Sequence, residues 1–95
     1  ALGPQGLLVN VARGSLIDED ALIEALKAGT LGMAALDVFE QEPAKPERWL
    51  DVPHTVLTPH TAGATLDSIP AMVGLTIENL RCYFNGEPLA SPVGD

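Results

Sequence analysis

Residues 7–39 read LLVNVARGSLIDEDALIEALKAGTLGMAALDVF, and this stretch decides the fold. Leu7 to Val11 is a short apolar run with two valines, bounded by Gly6 and Gly14, and reads as a buried strand. Asp18 follows as a helix N-cap, with Glu19 and Asp20 complementing the dipole of the first turn. Leu22, Ala25 and Leu26 make the inward stripe. Lys27 suits the C-terminal end, and Gly29 stops the helix. Met33 to Phe39 is a second apolar run, a strand expected to end near Asp37. Two apolar strands joined through a helix predict a parallel α/β unit.

Downstream, residues 40–53 form a polar connection with prolines at 43, 46 and 53. It is too long for a plain turn, so it is expected to be functional or to hold one helical turn. Thr55 to Thr58 reads as a third strand, stopped by Pro59. A last helix is expected from about Ser68 to Phe84, with Ile69, Met72, Val73, Ile77, Leu80 and Phe84 at spacings of three and four. Pro70 fits only a first turn, so regular hydrogen bonding is expected to begin at Ser68 rather than Thr65. Asn85-Gly86 ends the helix, and the tail from Glu87 to Asp95, with Pro88 and Pro92, is expected to be extended. The fold class is therefore α/β: a partial Rossmann-like parallel sheet of about three strands plus a C-terminal helix.

In 95 residues there is room for at most one small domain. Five basic against thirteen acidic residues give a net charge of −8, which repels nucleic acid, and no basic cluster offsets it. A single cysteine, Cys82, excludes an internal disulfide framework and fits a reducing cytoplasm. No apolar run approaches the length of a membrane span. The opening A-L-G-P-Q-G has neither the basic region nor the apolar stretch of a signal peptide and reads as a chain entered in mid-course.

In parallel sheets the chemistry lies beyond the C-terminal ends of the strands. Arg13, Asp37 and His60 all fall there, with Glu42 close behind. A guanidinium at Arg13 can hold a carboxylate through two charge-assisted hydrogen bonds and polarise a neighbouring carbonyl. The competing reading pairs Arg13 with Asp18 or Glu19 on the surface. A protonated His60 can donate to a carbonyl oxygen as hydride reaches the carbon, and act as base in reverse. Glu42 can reach that imidazole, and a nearby carboxylate favours its charged form; Glu40 competes for this part. Asp37 either accepts from a carboxamide such as that of nicotinamide or caps a loop. His54 precedes its strand, at the opposite sheet end, and reads as structural. Ser15 lacks the glycine-flanked turn of a hydrolase nucleophile. His54, His60 and Cys82 are too few for a zinc site, so no metal is expected. The glycines form neither a dinucleotide fingerprint nor a P-loop.

Three ordered motifs carry a resemblance: N-V-A-R-G-S-L-I-D-E-D-A-L at 10–22, G-M-A-A-L-D-V-F-E-Q-E-P at 32–43 and V-L-T-P-H-T-A-G-A-T at 56–65. Together the chain resembles the C-terminal signature of D-isomer-specific 2-hydroxyacid dehydrogenases. The ending F-N-G-E-P-L-A-S-P-V at 84–93 is most similar to the glyoxylate/hydroxypyruvate reductase branch. The resemblance implies catalytic Arg13, Glu42 and His60, selecting Glu42 over Glu40 because the family glutamate directly precedes proline. Formate dehydrogenases of the same superfamily have glutamine there. It implies NAD or NADP as cofactor, contacted by Val11, Ala12, Arg13, Asp37, His60 and Gly63, and a small 2-keto or 2-hydroxy acid substrate. It further implies residues 1–64 as the C-terminal half of a dinucleotide-binding domain. Residues 65–95 would be a final helix and tail that packs on a substrate domain. The family's glycine-rich loop and substrate domain precede such a segment, so a missing N-terminal portion of the same chain is an expected partner, along with a second copy in a homodimer, in the cytoplasm. The same residues also suit a non-enzymatic, dinucleotide-sensing binding protein of this fold.

Overall fold

The computed structural model describes residues 1–94; Asp95, the end of the expected tail, lies outside them. The described chain forms two compact units, Ala1–Ala62 and a second beginning at Gly63.

The first unit is built on three parallel strands in the order β1 (Leu7–Asn10), β2 (Met33–Leu36) and β3 (Thr55–Leu57). Leu7 aligns with Met33, and Ala34 with Thr55. The ladder runs one residue beyond the strand ends, where the Asp37 N–H donates to the Asn10 carbonyl at 3.0 Å and the Thr58 N–H to that of Leu36 at 2.9 Å. Helix α1 (Glu19–Lys27) joins β1 to β2. Its cap is the expected one: the Asp18 carboxylate accepts from the Ala21 N–H at 3.0 Å. Gly29, with φ of +68°, closes the C-terminus in the left-handed region that glycine enters without steric cost.

Side chains alternate across the strands, and the two faces of the sheet differ. Ala34 and Leu36 are buried on the face that meets Leu22 and Leu26 of α1, together with Phe39, Trp49 and Val52. Fully burying a leucine contributes about 1.5–3 kcal/mol, so Leu22 and Leu26 hold α1 on the sheet. The long connection is more than a loop: it holds one 3-10 turn (Pro46–Arg48) and places Trp49 edge-on to Phe39, ring centroids 5.9 Å apart.

The opposite face corrects the expectation of a strand buried throughout. Leu7, Val9 and Val11 are 54%, 58% and 60% exposed, and Met33 and Val56 beside them are also open. The apolar run specifies a strand, but α1 and the long connection supply covering side chains to one face only.

The second unit is helix α2 (Ser68–Asn85) with its flanks. It begins at Ser68 as Pro70 requires. Thr65 and Ser68 bond reciprocally, each N–H donating to the other's hydroxyl oxygen at 3.0 Å, which satisfies early donors. Gly86 ends the helix at φ +68°. The following segment turns back along α2, where the Asn79 carboxamide brackets Ser91, donating to its hydroxyl at 2.6 Å and accepting from its N–H at 3.1 Å. Ile69, Met72, Val73, Ile77, Leu80, Tyr83 and Phe84 are all exposed on α2, while Cys82 is buried. No described helix is long and apolar enough to cross a membrane.

Candidate active site

The turn after β1 is braced by Asn10, a buried residue. Its carboxamide donates to the Arg13 carbonyl at 2.8 Å and accepts from the Ala12 N–H at 3.1 Å. This fixes the backbone of Val11, Ala12 and Arg13 at the sheet edge. Gly14 then passes so close to the next segment that a Cβ there would lie 2.0 Å from the Phe39 carbonyl carbon. Only glycine allows the two edges to meet. The Arg13 guanidinium bonds the Ala12 carbonyl at 2.6 Å, and among the described residues no carboxylate pairs with it. Its two suggested surface partners are engaged elsewhere: Asp18 caps α1, and Glu19 faces Arg48 at 3.4 Å.

Asp37, at the end of β2, is 3% exposed. Its carboxylate accepts from the Thr58 hydroxyl, from the Thr61 N–H at 2.9 Å and from the Ala62 N–H at 2.9 Å. The Thr58 hydroxyl is the main reason its carboxyl lies below the usual carboxylate range. Burial opposes this, and the Ala62 and Thr61 N–H groups and the nearby His60 add to it. Asp37 thus anchors both sides of the turn that holds His60. That turn needs an anchor, because His60 has φ of +54°, a left-handed conformation that costs a residue with a Cβ about 1–2 kcal/mol.

Glu42 meets His60 from the long connection. Its Oε2 lies 2.6 Å from His60 Nδ1, and its Oε1 accepts from the Phe39 N–H at 3.2 Å. The hydrogen bond with His60 chiefly, with that N–H second, holds the Glu42 carboxyl below its ordinary value against partial burial. A carboxylate only accepts, so the hydrogen sits on Nδ1 and leaves Nε2 as the free working nitrogen. In the imidazolium form Nε2 is a donor.

Arg13, Asp37, Glu42 and His60 are therefore brought to one edge of one sheet. Val11, Asp37, Thr58 and Ala62 line a shallow cleft of about 90 Å³ there, on the open apolar face with Val9 and Val56. A larger cavity of about 320 Å³ lies beside Glu42 and His60, lined mainly by Phe39, Trp49, Leu57 and prolines 43, 46 and 59. Gly63 opens the second unit, where its carbonyl accepts from the Ser68 hydroxyl. Glu40 does not compete for His60; it accepts from the Glu19 N–H at 3.3 Å. His54 is exposed before β3. No three His, Cys, Asp or Glu side chains converge as metal ligands among the described residues.

Sequence reasoning missed Asn10 and Thr58. Thr58, two residues before His60 and opposite the end of β2, was the most accessible: a hydroxyl level with a strand-end aspartate is placed to bond it.

Residues 1–62 match the sequence model of the D-isomer specific 2-hydroxyacid dehydrogenase NAD-binding domain. The chain belongs to this family. As a family member it is 47% identical over 93 residues to a glyoxylate/hydroxypyruvate reductase of Arabidopsis thaliana. It is 45% identical over 93 residues to a hydroxyphenylpyruvate reductase of Plectranthus scutellarioides. Each match takes in 98% of this chain and 30% of the relative. Among solved structures it superposes on the NADPH-dependent glyoxylate/hydroxypyruvate reductase of Sinorhizobium meliloti, crystallised with NADP and malonate. The TM-score there is 0.89 at 46% identity, covering 98% of this chain and 29% of that one. The chain thus spans about 30% of the length of the relatives it matches. The three-stranded parallel sheet is part of a Rossmann-type dehydrogenase domain.

Proposed function

We propose that this chain is the part of an NAD(P)-dependent D-2-hydroxyacid dehydrogenase that holds its catalytic side chains, and that the whole protein reduces a small 2-keto acid of the glyoxylate or hydroxypyruvate kind. The observation that supports this most is the 2.6 Å contact between Glu42 and His60 Nδ1, at the sheet edge where Arg13 stands free of any described carboxylate.

The open face fits the nicotinamide end of the cofactor. Val9, Val11 and Val56 offer an apolar floor, and Asp37 and the 61–62 backbone stand at its rim. Val11, Ala12, Arg13, Asp37, His60 and Gly63 are the residues we assign to that end. When bound, NADH or NADPH supplies the hydride for the keto carbon. The protein's own groups do the rest. Arg13 takes the substrate carboxylate in a two-pronged charge-assisted bond and so aligns the keto group. His60, as imidazolium, gives the Nε2 proton to the keto oxygen and takes it back in the reverse reaction. Glu42 holds the ring by Nδ1 and so directs Nε2 toward the keto oxygen. The product is the D-2-hydroxy acid.

The remaining assignments follow the same reading. Residues 1–64 act as the C-terminal half of the dinucleotide-binding domain. Residues 65–95 pack the exposed apolar side chains of α2 on a substrate domain from an N-terminal portion of the same chain. The whole works as a cytoplasmic homodimer. The identity shared with the plant and bacterial reductases, over 98% of this chain and about 30% of each relative, supports a longer chain of that kind.

The test is oxidation of NADH or NADPH by the longer protein that carries this segment, with glyoxylate and hydroxypyruvate as substrates. Substrate-dependent oxidation is expected. Tight dinucleotide binding with no turnover on either acid would point instead to a sensing protein. The 95-residue chain alone is expected to show no turnover, because it has no glycine-rich loop at a helix N-terminus to hold the pyrophosphate.

A further inference from the structure

Glu19 is a buried carboxylate, 5% exposed, that takes no part in the proposed chemistry. A charge is rarely buried unless it is bonded, and Glu19 is bonded to one place in particular. Its Oε1 accepts from the Glu40 N–H at 2.6 Å, and the Glu40 carboxylate accepts in return from the Glu19 N–H at 3.3 Å. Its Oε2 faces Arg48 Nε at 3.4 Å, and Arg48 also reaches Asp20 at 2.8 Å. The start of α1 is thereby clasped to both ends of the segment 40–48. The N–H adjoining the clasp belongs to Phe39 and is the group that orients the Glu42 carboxylate, whose other oxygen meets His60.

We propose that Glu19 is a positioning residue: by fixing the backbone at Glu40 and the turn at Arg48, it holds the loop that aims Glu42 at His60. The path is continuous, from the Glu19 carboxylate to the Glu40 N–H, the Phe39 N–H, the Glu42 carboxylate and the imidazole. Only its catalytic consequence rests on the dehydrogenase reading; the geometric claim stands on this chain.

The test uses nitrogen-15 NMR of the imidazole rings in the 95-residue chain, where His54 and His60 are the two histidines. In the unaltered chain the His60 Nδ1 signal is expected to carry the signature of its bond to Glu42, with His54 as the unbonded reference. Glu19→Ala is expected to move the His60 Nδ1 signal toward that of His54, while the amide signals of the strands stay in place. Glu19→Gln keeps an acceptor for the Glu40 N–H and is expected to restore most of the difference. An unchanged His60 ring in a folded Glu19→Ala chain would overturn the proposal. If that variant unfolds, Glu19→Asp keeps the charge beside Arg48 but is one methylene too short for the Glu40 N–H. It is expected to shift the same signal, and unfolding of this variant too would overturn the proposal in favour of a purely structural role. In the longer dehydrogenase, Glu19→Ala is expected to lower kcat by roughly 10- to 100-fold with KM for the keto acid little changed. If the unaltered protein shows no reduction at all, the dehydrogenase reading fails while the NMR comparison still decides the positioning claim.

Discussion

The two histidines flank the same short strand and share an uncommon backbone. His54, before β3, has φ of +56°, and His60, after it, has φ of +54°. There the likeness ends. At His54 the backbone carbonyl accepts from the Ala34 N–H, and the ring enters none of the hydrogen bonds among the described residues. At His60 the ring is held by Glu42 and the turn beneath it by three bonds to the Asp37 carboxylate. A left-handed residue is a turn device in both places. Only at the C-terminal edge of the sheet do the neighbouring strand ends add groups that give the ring a direction. Topology, more than residue type, separates a ring held in one direction from one left unheld here.

That contrast can be broken or sharpened by changing either edge. The largest effect is expected at Arg13. In the longer protein, Arg13→Ala should lower kcat/KM for glyoxylate by about 10²–10⁴-fold, the equivalent of two charge-assisted bonds of about 1.5–3 kcal/mol each. Arg81→Ala, which removes pairs with Glu78 and Glu87 on α2, should leave catalysis near its starting value in the same steady-state assay. Next comes the packing beneath the edge. Trp49→Ala should cost about 3–5 kcal/mol of stability in urea denaturation, and should disturb the His60 turn less than it disturbs α1. Gly14→Ala forces a Cβ against the Phe39 backbone, and overpacking of this kind costs about 1–3 kcal/mol by the same measurement. The smallest effect is a shift in titration. The Glu42 carboxyl is held below its ordinary value by His60, so its share of stability is present above the ordinary carboxylate range and is lost as pH falls through the lowered value. Carboxyl-carbon NMR should show Glu42 titrating at a higher pH in His60→Ala, and unmoved in His54→Ala.

Much of the edge was legible in the sequence because single residues specify it. Asp18 caps α1, Gly29 ends it, Pro70 dates the start of α2, and the glutamate before Pro43 meets the imidazole. Other features were not legible, for physical reasons. An apolar run such as residues 7–11 reports a strand but not how many of its faces are covered, since covering depends on which other segments arrive. Trp49 reads as part of a polar loop, yet it completes the core against Phe39, because a turn at Pro46–Arg48 returns it to α1. Glu19 reads as a dipole-complementing charge, and its bond to Glu40, twenty-one residues away, has no local signature. Asp37 was open between cofactor contact and loop cap. Its bonds to Thr58, Thr61 and Ala62 make it a cap in the structure, while a contact with nicotinamide remains part of the proposed function.

The most direct test of the central claim is single-turnover reduction of glyoxylate by the longer protein with each histidine replaced in turn. His60→Ala is predicted to slow the chemical step by about 10²–10⁴-fold, the usual worth of a positioned proton donor, with His54→Ala close to the unaltered protein. Equal rates for the two variants would contradict the assignment of His60, and with it the account of this sheet edge as an active site.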